Sequence, residues 1–466
     1  MKIEILDAIE CQVSKEDGAK LIPCLSFEAV YWKQGPYKKT RHTYQKQVFS
    51  FKGKTHWCFY TGLLPRVVKW CKDQGIPVEI VGEEIKIPRQ AEPFLKGITF
   101  RDDQLRLINA ACKQQRGVIS SATGSGKTIM QLGILSCYPK CRALILAHTI
   151  AIVGQTFNEL EKFGFKSIEM FGGGIKATKP TKQIIVSTMQ SFVKIAPEDY
   201  TDYFDIILLD ESHHLQSMKS KDKNDNQTNT TYVEILSHML APIRLGFTAT
   251  TRTTDEAVFV NEGLLGPIIE KVSIQEAADL GVLAEPRLRL IKAKCGLGIS
   301  DLRKYQDVYS FGIVNNKLRN RQIAEIVKEF YKQKKTTLIF VTHIEHGNLV
   351  AESIKNLFGY KTPFIQGSMP AEEREKIKTG LISKKIRVCL ATVSWREGVD
   401  IPNLDCVVLA GGGKSEIQTL QGVGRGLRRT EGKDSVVIVD FLDLSHNHLT
   451  RQTGERLGIY SDMNWL

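Results

Sequence analysis

This chain of 466 residues lacks the cysteine patterns of a metal-bound or disulfide-bonded fold. Its ten cysteines are scattered, and no two of them form a CxxC pair. Structural zinc and iron–sulfur clusters need closely spaced thiolates, and disulfide frameworks are typical of short secreted chains. We therefore expect reduced, mostly buried thiols, with no structural zinc and no iron–sulfur cluster.

Long apolar runs are also missing. None approaches the roughly 20 residues that a membrane-spanning helix needs, and the first four residues do not begin a signal peptide. With 42% hydrophobic and 25% charged residues, the composition is typical of a folded domain protein. We expect two to four domains, a cytoplasmic location (the host cytoplasm if a phage encodes the protein) and no membrane partner.

Acidic residues are absent from 29–72, although this stretch holds ten of the lysines and arginines that give the chain its net charge of +13. Aromatic residues are interleaved with these cations, among them Tyr31, Trp32, Tyr37, Tyr44, Phe49 and Phe51. Cations that bind phosphates and rings that stack on bases are typical of a nucleic-acid-binding face. The alternative is that the rings form a small β-core and the cations are solvated. We favour binding, with Lys38, Lys39 and Arg41 as candidate contacts.

The residue pattern predicts a small basic β-rich N-terminal domain at 1–95, followed by two α/β units at 96–284 and 285–466. In the first domain we expect strands at 25–32, 44–51, 57–61 and 78–81, and a helix at 65–74. Further on, short apolar strands alternate with amphipathic helices, which is typical of parallel sheets. We expect those strands at 143–147, 183–187, 206–209, 244–248, 288–291, 337–341, 388–391, 406–410 and 435–439, a helix at 320–332 and a polar loop at 216–231.

A glycine-rich stretch, SATGSGKT at 121–128, lies between an apolar strand-like run and an apolar helix-like run. The backbone N–H groups of such a loop and the start of the helix can bind phosphate oxygens. Lys127 could then reach the β- and γ-phosphates, and Thr128 could offer its hydroxyl to Mg²⁺. Ser121 stands where the GxxxxGK[ST] pattern has its first glycine. For this loop alone, a glycine turn without a nucleotide remains the alternative.

Two adjacent carboxylates, Asp210 and Glu211, follow the apolar run 206–209. Desolvating both at the end of a buried strand is unfavourable without a cation. Asp210 is therefore expected to hold Mg²⁺, and Glu211 to position or deprotonate the attacking water. His213 and His214 come next. One of them is a candidate sensor of the γ-phosphate, but the pair alone is not a metal motif.

These stretches resemble, in order, the motifs of superfamily 2 helicases. ATGSGKT at 122–128, DESH at 210–213 and TAT at 248–250 correspond to motifs I, II and III, and FRDDQ at 100–104 resembles the preceding segment that contacts adenine. The resemblance covers 98–445 and implies an α/β fold of two tandem RecA-like parallel-sheet lobes that hydrolyse ATP with Mg²⁺. The nucleotide-binding residues it implies are Gln104, Thr123, Gly124, Ser125, Gly126, Lys127, Thr128, Gly398 and Asp400, with Thr128 and Asp210 at the metal.

The later motifs lie in the second unit. Residues 339–342 resemble motif IV, 391–400 resemble motif V, and QGVGRGLR at 421–428 matches motif VI. Arg425 and Arg428 are three residues apart, so one helix face can point both at a phosphate. The resemblance implies that they, with Gln421, complete the ATP site from the second lobe, so that hydrolysis depends on lobe closure. A helix that only holds nucleic-acid phosphates is the alternative.

Three details resemble the UvsW-like and XPB-like DNA helicases, a group that includes phage recombination helicases. They are DESH in place of the DEAD of RNA-unwinding relatives, the segment 272–286, and NKLRNR at 316–321. By position in this family, Thr188 and Thr392 would contact the phosphates of the tracked DNA strand. His148 and Thr149 replace the usual Pro-Thr of motif Ia, which puts that contact in doubt.

The leading hypothesis is an ATP-dependent DNA helicase or translocase, expected to be monomeric, that remodels forks and Holliday junctions in recombination, replication or repair. One alternative is an RNA helicase, which RNA rather than DNA would stimulate. Another is an ATP-gated module that binds branched DNA without unwinding it. A fourth is the motor of a restriction system, which would need a separate nuclease subunit because no nuclease motif is visible here.

Overall fold

A computed structural model describes residues 1–34, 39–48, 50–52, 55–121, 124–172, 179–195, 200–215, 228–249, 255–281, 283–296, 298–392, 401, 404–413, 429, 433–463 and 465–466. The chain forms two compact units. One comprises Met1–Ser121 and Gly126–Lys271, and the other comprises Ala122–Ser125 and Val272–Leu466. Among the described residues, no helix combines the length and apolarity needed to cross a bilayer. The predicted domain boundaries at 95 and 284 stay predictions.

The N-terminal region of the first unit is a small α+β module. Its strands are β1 (Lys2–Ile5), β2 (Glu10–Ser14), β3 (Ser26–Gln34), β4 (Lys39–Gln47), β5 (Ser50–Lys52), β6 (His56–Tyr60) and β7 (Glu79–Val81), and its helices are α1 (Lys15–Leu21) and α2 (Leu64–Asp73). Five strands form a sheet in the order β5-β6-β2-β1-β7, and β3 pairs with β4 as a separate antiparallel ribbon. The Ser14 side chain accepts a hydrogen bond from the Asp17 backbone and so caps α1.

One strand prediction in this module is wrong. The sequence predicts a continuous strand over 44–51, but β4 ends at Gln47 and β5 begins at Ser50. Between them, Val48 is buried and its N–H donates to the Leu25 carbonyl at 2.9 Å. This contact ends the ribbon and lets the chain continue into the other sheet. The predicted helix at 65–74 and the strand at 78–81 are confirmed within a residue of their expected bounds.

The rest of the first unit is a seven-stranded sheet of order β10-β11-β9-β12-β13-β8-β14, in which the described strand pairs are parallel. We call this region lobe 1. Its strands are β8 (Arg116–Ser121), β9 (Ala143–Ala147), β10 (Ile168–Phe171), β11 (Ile184–Thr188), β12 (Ile206–Leu209), β13 (Ile243–Thr248) and β14 (Ile268–Val272). Its helices are α3 (Asp102–Gln114), α4 (Lys127–Ser136), α5 (Ile150–Lys162), α6 (Met189–Phe192), α7 (Thr228–His238) and α8 (Asp255–Leu264).

The strand order of lobe 1 determines where the motifs meet. Strand β13 lies between β12 and β8. The carboxyl ends of parallel strands share one edge of the sheet, where α/β proteins bind ligands. Gly126 and Lys127, which follow β8, Thr248 at the end of β13 and the acidic pair after β12 therefore share that edge.

The N-terminal module packs directly against α8 of lobe 1. The rings of Phe27 and Phe259 stack with centroids 5.4 Å apart. Arg66 of α2 donates through Nε to both carboxylate oxygens of Glu262, at 3.1 and 3.0 Å. At Gly62 a Cβ would collide with the Glu262 carbonyl, so this contact requires glycine. These contacts fix the module on the helix that follows motif III.

The second unit contains a six-stranded parallel sheet of order β15-β20-β19-β16-β18-β17. We call this region lobe 2. Its strands are β15 (Glu285–Lys292), β16 (Thr337–Val341), β17 (Phe364–Ile365), β18 (Val388–Thr392), β19 (Cys406–Leu409) and β20 (Ser435–Leu442). Its helices are α9 (Ile274–Asp279), α10 (Tyr305–Tyr309), α11 (Lys317–Lys332), α12 (Ile344–Phe358), α13 (Ala371–Ile382) and α14 (Asn447–Asp462). The predicted fold of two parallel-sheet lobes after a β-rich N-terminal region is confirmed.

Buried ion pairs join two helices of lobe 2 to β20 and to the residue that follows it. Arg456 of α14 donates through Nε to Asp440 at 2.7 Å, and Arg319 of α11 donates through Nε to Asp443 at 2.8 Å. Both arginines are at most 2% exposed. Arg319 also donates to the carbonyl of Ala410, the residue after β19. Arg319, which lies in the run NKLRNR, therefore has a structural role within lobe 2.

Candidate active site

The glycine-rich loop has a backbone that requires glycine. Gly124 has a φ of 89° and Gly126 a φ of 94°, in the left-handed region that residues with a Cβ rarely adopt. A Cβ on Gly126 would also lie 2.6 Å from Nε2 of Gln104. Gln104 belongs to the capping box at the start of α3, where its Oε1 accepts from the Arg101 N–H. The structure thus brings Gln104, predicted to contact adenine, next to the loop.

Gly126→Ala is expected to raise the KM for ATP by roughly 5- to 150-fold, because backbone strain of this kind is worth about 1–3 kcal/mol. Steady-state ATP titrations measure the change. Gly154→Ala is the matched control, since Gly154 lies within α5 with open space around its Cα and alanine favours the helix. Equal KM values for the two variants would contradict the account of this loop.

Lys127 and the acidic pair meet at the carboxyl edge of the sheet. Lys127, the first residue of α4, lies with its Nζ 3.1 Å from Oε1 of Glu211. Asp210 accepts a hydrogen bond at Oδ1 from Nε2 of Gln131, at 3.2 Å. Gln131 was not among the predicted site residues. It lies one helical turn after Lys127, and this spacing was the available signal.

The site shifts the pKa values of the two carboxyl groups in opposite directions. Burial, and then the charge of Glu211, raise the pKa of Asp210 to about 6. Burial also opposes ionisation of Glu211, but Lys127 and His213 outweigh it and hold its pKa below the usual range. Because Asp210 holds its proton more tightly in the folded state, its contribution to the free energy of unfolding falls as the pH rises from its ordinary pKa to about 6. A cation beside Asp210 would offset that cost, which suits a carboxylate that ligates a divalent ion.

Motif II is strained and linked to motif III. Glu211 has a φ of 48°, a left-handed conformation that is uncommon for a residue with a side chain. The turn after it, Ser212–His214, places Nδ1 of the buried His213 3.1 Å from Oγ1 of Thr248. The same ring nitrogen lies 3.3 Å from Oε2 of Glu211. His213 therefore connects Glu211 to the end of β13.

A stack of histidines replaces the proline expected in motif Ia. The rings of His148 and His214 are nearly parallel, 11° apart, with centroids separated by 4.0 Å. Burial, followed by the neighbouring His213 and His148, lowers the pKa of His214 to about 3, so its ring is neutral at pH 7. Thr149 accepts a hydrogen bond from the Ile152 N–H and caps α5. His148, which stands where the family has proline, thus packs against His214, and Thr149 caps α5. The sequence alone did not indicate this packing.

The other predicted site residues are dispersed. Thr188 is 4% exposed, and its hydroxyl donates to Ser191 at 2.9 Å and caps α6. Thr392 ends β18 and is 7% exposed. Lys39 and Arg41 lie on β4, opposite Gln34 and Trp32. The predicted residues outside the described part of the chain are Lys38, Thr123, Gly398, Asp400, Gln421, Arg425 and Arg428, together with 216–227 of the predicted loop at 216–231. The last four residues of that loop prediction are wrong, because α7 begins at Thr228.

The described site has the chemistry of a nucleotide phosphate site. Gly126, Lys127 and two carboxylates lie at the carboxyl edge of a parallel sheet, and Thr128 follows Lys127 in α4. Hydroxyl and carboxylate oxygens are the donors that Mg²⁺ prefers, and a lysine at a helix N-terminus attracts phosphate. The fold and the site together define an ATP-dependent protein built from tandem RecA-like lobes.

Two sequence families match successive parts of the chain. Residues 97–253 match the family described as type III restriction enzyme, res subunit, and residues 319–430 match the helicase conserved C-terminal domain. The matches follow the order of the motifs read from the sequence. The chain belongs to the superfamily 2 helicases, which hydrolyse ATP.

Several curated proteins are similar to this chain along most of its length. It is 25% identical to the DNA 3'-5' translocase XPB2 of Sulfurisphaera tokodaii, over 77% of this chain and 85% of that protein. It is 24% identical to the ATP-dependent DNA helicase uvsW of Enterobacteria phage T4, over 82% of this chain and 78% of that protein. For Saccharomyces cerevisiae IRC3 the identity is 26% over 79% of this chain, and the chain spans only 54% of that relative.

A solved structure supports the fold. The ATP-dependent Type ISP restriction-modification enzyme LlaBIII bound to DNA matches 85% of this chain and 32% of its own, with a TM-score of 0.60 and 17% identity. At this identity the likeness shows a shared fold.

Proposed function

We propose that this protein is an ATP-dependent DNA translocase that remodels branched DNA such as forks and four-way junctions. The observation that carries the proposal is the convergence of Lys127, Glu211 and Asp210 at one edge of the lobe 1 sheet. The similarity to proteins named a DNA 3'-5' translocase and a DNA helicase supports DNA as the substrate.

In the proposed reaction, Lys127 exchanges its Glu211 partner for the β- and γ-phosphates of ATP. This exchange frees the Glu211 carboxylate, which then orients the attacking water and accepts its proton. Thr128 and Asp210 would hold Mg²⁺, which supplies charge neutralisation on the phosphates when bound. Gln131 keeps Asp210 oriented through its 3.2 Å hydrogen bond.

The second lobe supplies the remaining groups of this proposal. Gln421, Arg425 and Arg428 match motif VI, and charge from two arginines would stabilise the transferring phosphoryl group. Gly398 and Asp400 would line the nucleotide from motif V. Thr188 and Thr392 would bind phosphates of the tracked strand. Hydroxyl contacts to phosphates carry no base information, so tracking should be independent of sequence.

A direct assay of the proposal is branch migration of a labelled four-way junction by the full-length protein. Wild type with ATP and Mg²⁺ should convert the junction to two duplexes, and replacement of ATP by a non-hydrolysable analogue should prevent it. Junction binding without any strand exchange would favour the ATP-gated binding module instead. Unwinding of RNA duplexes of matched sequence, without any activity on DNA, would favour an RNA helicase.

A second candidate function is the motor of a restriction system, favoured by the family match at 97–253 and by the likeness to LlaBIII. This function shares ATP-driven movement on DNA with the first. It predicts that long linear duplexes stimulate ATP hydrolysis as strongly as junctions do. A branch-remodelling enzyme should instead show greater stimulation by junctions than by linear duplex of equal nucleotide concentration.

Neutralising Lys38, Lys39 and Arg41 to glutamine is expected to weaken junction binding and flatten its salt dependence. Each lost phosphate contact lowers the log–log salt slope by about 0.9, so three contacts would reduce it by roughly 2–3. Binding titrations at several salt concentrations measure the slope. The matched control replaces Lys162, Lys166 and Lys182, which are exposed lysines of lobe 1. An unchanged slope would show that the N-terminal cations are only solvated.

A further inference from the structure

The positive charge of the chain is concentrated at one end of lobe 2. Segments 328–335, 355–361 and 384–387 contain nine lysines and arginines but a single acidic residue, Glu329. These 19 residues thus supply +8 of the chain's net charge of +13. The nine cations are Lys328, Lys332, Lys334, Lys335, Lys355, Lys361, Lys384, Lys385 and Arg387. We call the three segments together the basic edge.

Described contacts join the three segments into one surface. The Tyr331 ring lies 5.4 Å from the Phe358 ring and 5.1 Å from the Tyr360 ring, measured between centroids. The Tyr360 hydroxyl accepts a hydrogen bond from the Arg387 N–H at 3.3 Å. The Arg387 guanidinium in turn donates to the Lys334 carbonyl, and Lys328 Nζ donates to the Leu357 carbonyl at 3.4 Å. Three aromatic rings therefore lie among the cations.

The charge on this surface is available to a partner. Lys332, Lys334, Lys384 and Lys385 are exposed, and Tyr331 is 37% exposed. The one carboxylate, Glu329, is paired with Arg289 at 3.0 Å. In the part of the chain that the structure describes, no ion pair involves any of the nine cations of the basic edge.

Helix stability does not account for these lysines. Lys334 and Lys384 follow the ends of α11 and α13 with φ values of 57° and 59°, positions where glycine is the usual residue. A cation near a helix C-terminus interacts favourably with the helix dipole. That effect concerns the last turn of each helix, and it does not explain Lys361 and Lys385. Phe358 and Tyr360 pack against the core of lobe 2, whereas Tyr331 is exposed.

The basic edge lies at the opposite end of the sheet from the motifs. Lys335 and Arg387 come just before β16 and β18, whereas motif IV and Thr392 lie where these strands end. Five residues of strand span roughly 17 Å. A phosphate bound at Thr392 therefore cannot also contact the basic edge, so the partner must reach it with a different part of its backbone.

We propose that the basic edge binds the phosphate backbone of a second DNA arm, apart from the strand that the motor tracks. This inference rests on the proposed action on branched DNA. Lysine ammonium groups bind phosphates as point charges without base preference, and the exposed Tyr331 ring can stack on an unpaired base at a branch. An acidic protein would match the charge but would offer no base to the exposed Tyr331 ring.

The test compares two triple variants of the full-length protein by titration of a labelled four-way junction and of a short single strand at several salt concentrations. One variant carries Lys334→Gln, Lys384→Gln and Lys385→Gln. The control carries Lys292→Gln, Lys294→Gln and Lys304→Gln, which removes the same charge from exposed positions of the same lobe. Thermal unfolding of both variants checks that they fold.

The first variant should bind the junction about tenfold or more weakly and lose roughly 2–3 units of salt slope, while its affinity for the short single strand changes little. The control should stay within about threefold of wild type for both ligands. Equal junction affinities and slopes for the two variants would overturn the inference. A parallel titration with polyglutamate probes an acidic protein partner. Loss of polyglutamate binding with unchanged junction binding in the first variant would also overturn the inference. Wild type that binds no DNA would instead overturn the proposed function itself.

Discussion

Glu211→Gln is expected to lower the kcat for ATP hydrolysis by about 10²- to 10⁴-fold, the usual contribution of a positioned general base. Glutamine keeps the shape of the side chain but can neither accept the proton nor pair with Lys127, which lies 3.1 Å from the carboxylate. Binding of ATP should persist, because the loop and Lys127 remain. The change should therefore fall on kcat more than on KM.

The control for this variant is Glu161→Gln, an isosteric change at an exposed position of α5. It should leave both kinetic constants unchanged. Lys127→Ala provides an independent check, since it removes the group expected to bind the β- and γ-phosphates. Normal turnover by either Glu211→Gln or Lys127→Ala, with DNA binding intact, would contradict the assignment of the site.

Asp440→Asn is expected to destabilise lobe 2 by about 3–5 kcal/mol, because it leaves a buried guanidinium without its counter-charge. Asp440 accepts hydrogen bonds from Arg456 Nε at 2.7 Å and from the Tyr460 hydroxyl at 3.1 Å. Its side chain is 3% exposed, so water cannot replace the lost charge. Asp443 lies 3.8 Å from Arg456 and still supplies a negative charge in the variant, so the expected loss of stability is towards the lower end of this range.

Hydrogen exchange of the β20 amides measures this loss as a lowered local opening free energy. The matched control is Glu325→Gln, which breaks the pair between Arg321 and Glu325 on the surface of α11. Those side chains are 72% and 48% exposed, and such a pair is worth about 0.3–0.5 kcal/mol. A protection loss at β20 no larger in Asp440→Asn than in the control would show that the buried network contributes little.

The sequence predicted the two lobes well because buried parallel strands are continuous apolar runs. All nine strands expected between residues 143 and 439 are present. Those missed, such as β10 and β14, lie at the edges of the lobe 1 sheet and are half-exposed, so their sequences carry no such run. The acidic pair was a candidate site for a related reason, since two carboxylates after a buried strand are costly to desolvate. Lys127 was a candidate because it ends a glycine-rich loop and begins a helix.

The contacts between motifs could not be predicted in the same way. The link from His213 to Thr248 depends on β12 and β13 being neighbours, and 35 residues separate the two side chains in sequence. Docking of the N-terminal module on α8 depends on pairs such as Phe27 with Phe259, which no local pattern reveals. The β3–β4 ribbon was expected as strands, but its end at Val48 is set by a contact with Leu25.

Steady-state ATP hydrolysis with four nucleic acids tests the central claim most directly. The four are single-stranded DNA, linear duplex DNA, a four-way DNA junction and matched RNA, at equal nucleotide concentration. The account predicts that the junction stimulates turnover well above linear duplex and that RNA has little effect. Stimulation by RNA alone would contradict it, while leaving the fold and the arrangement of Lys127, Asp210 and Glu211 unchanged.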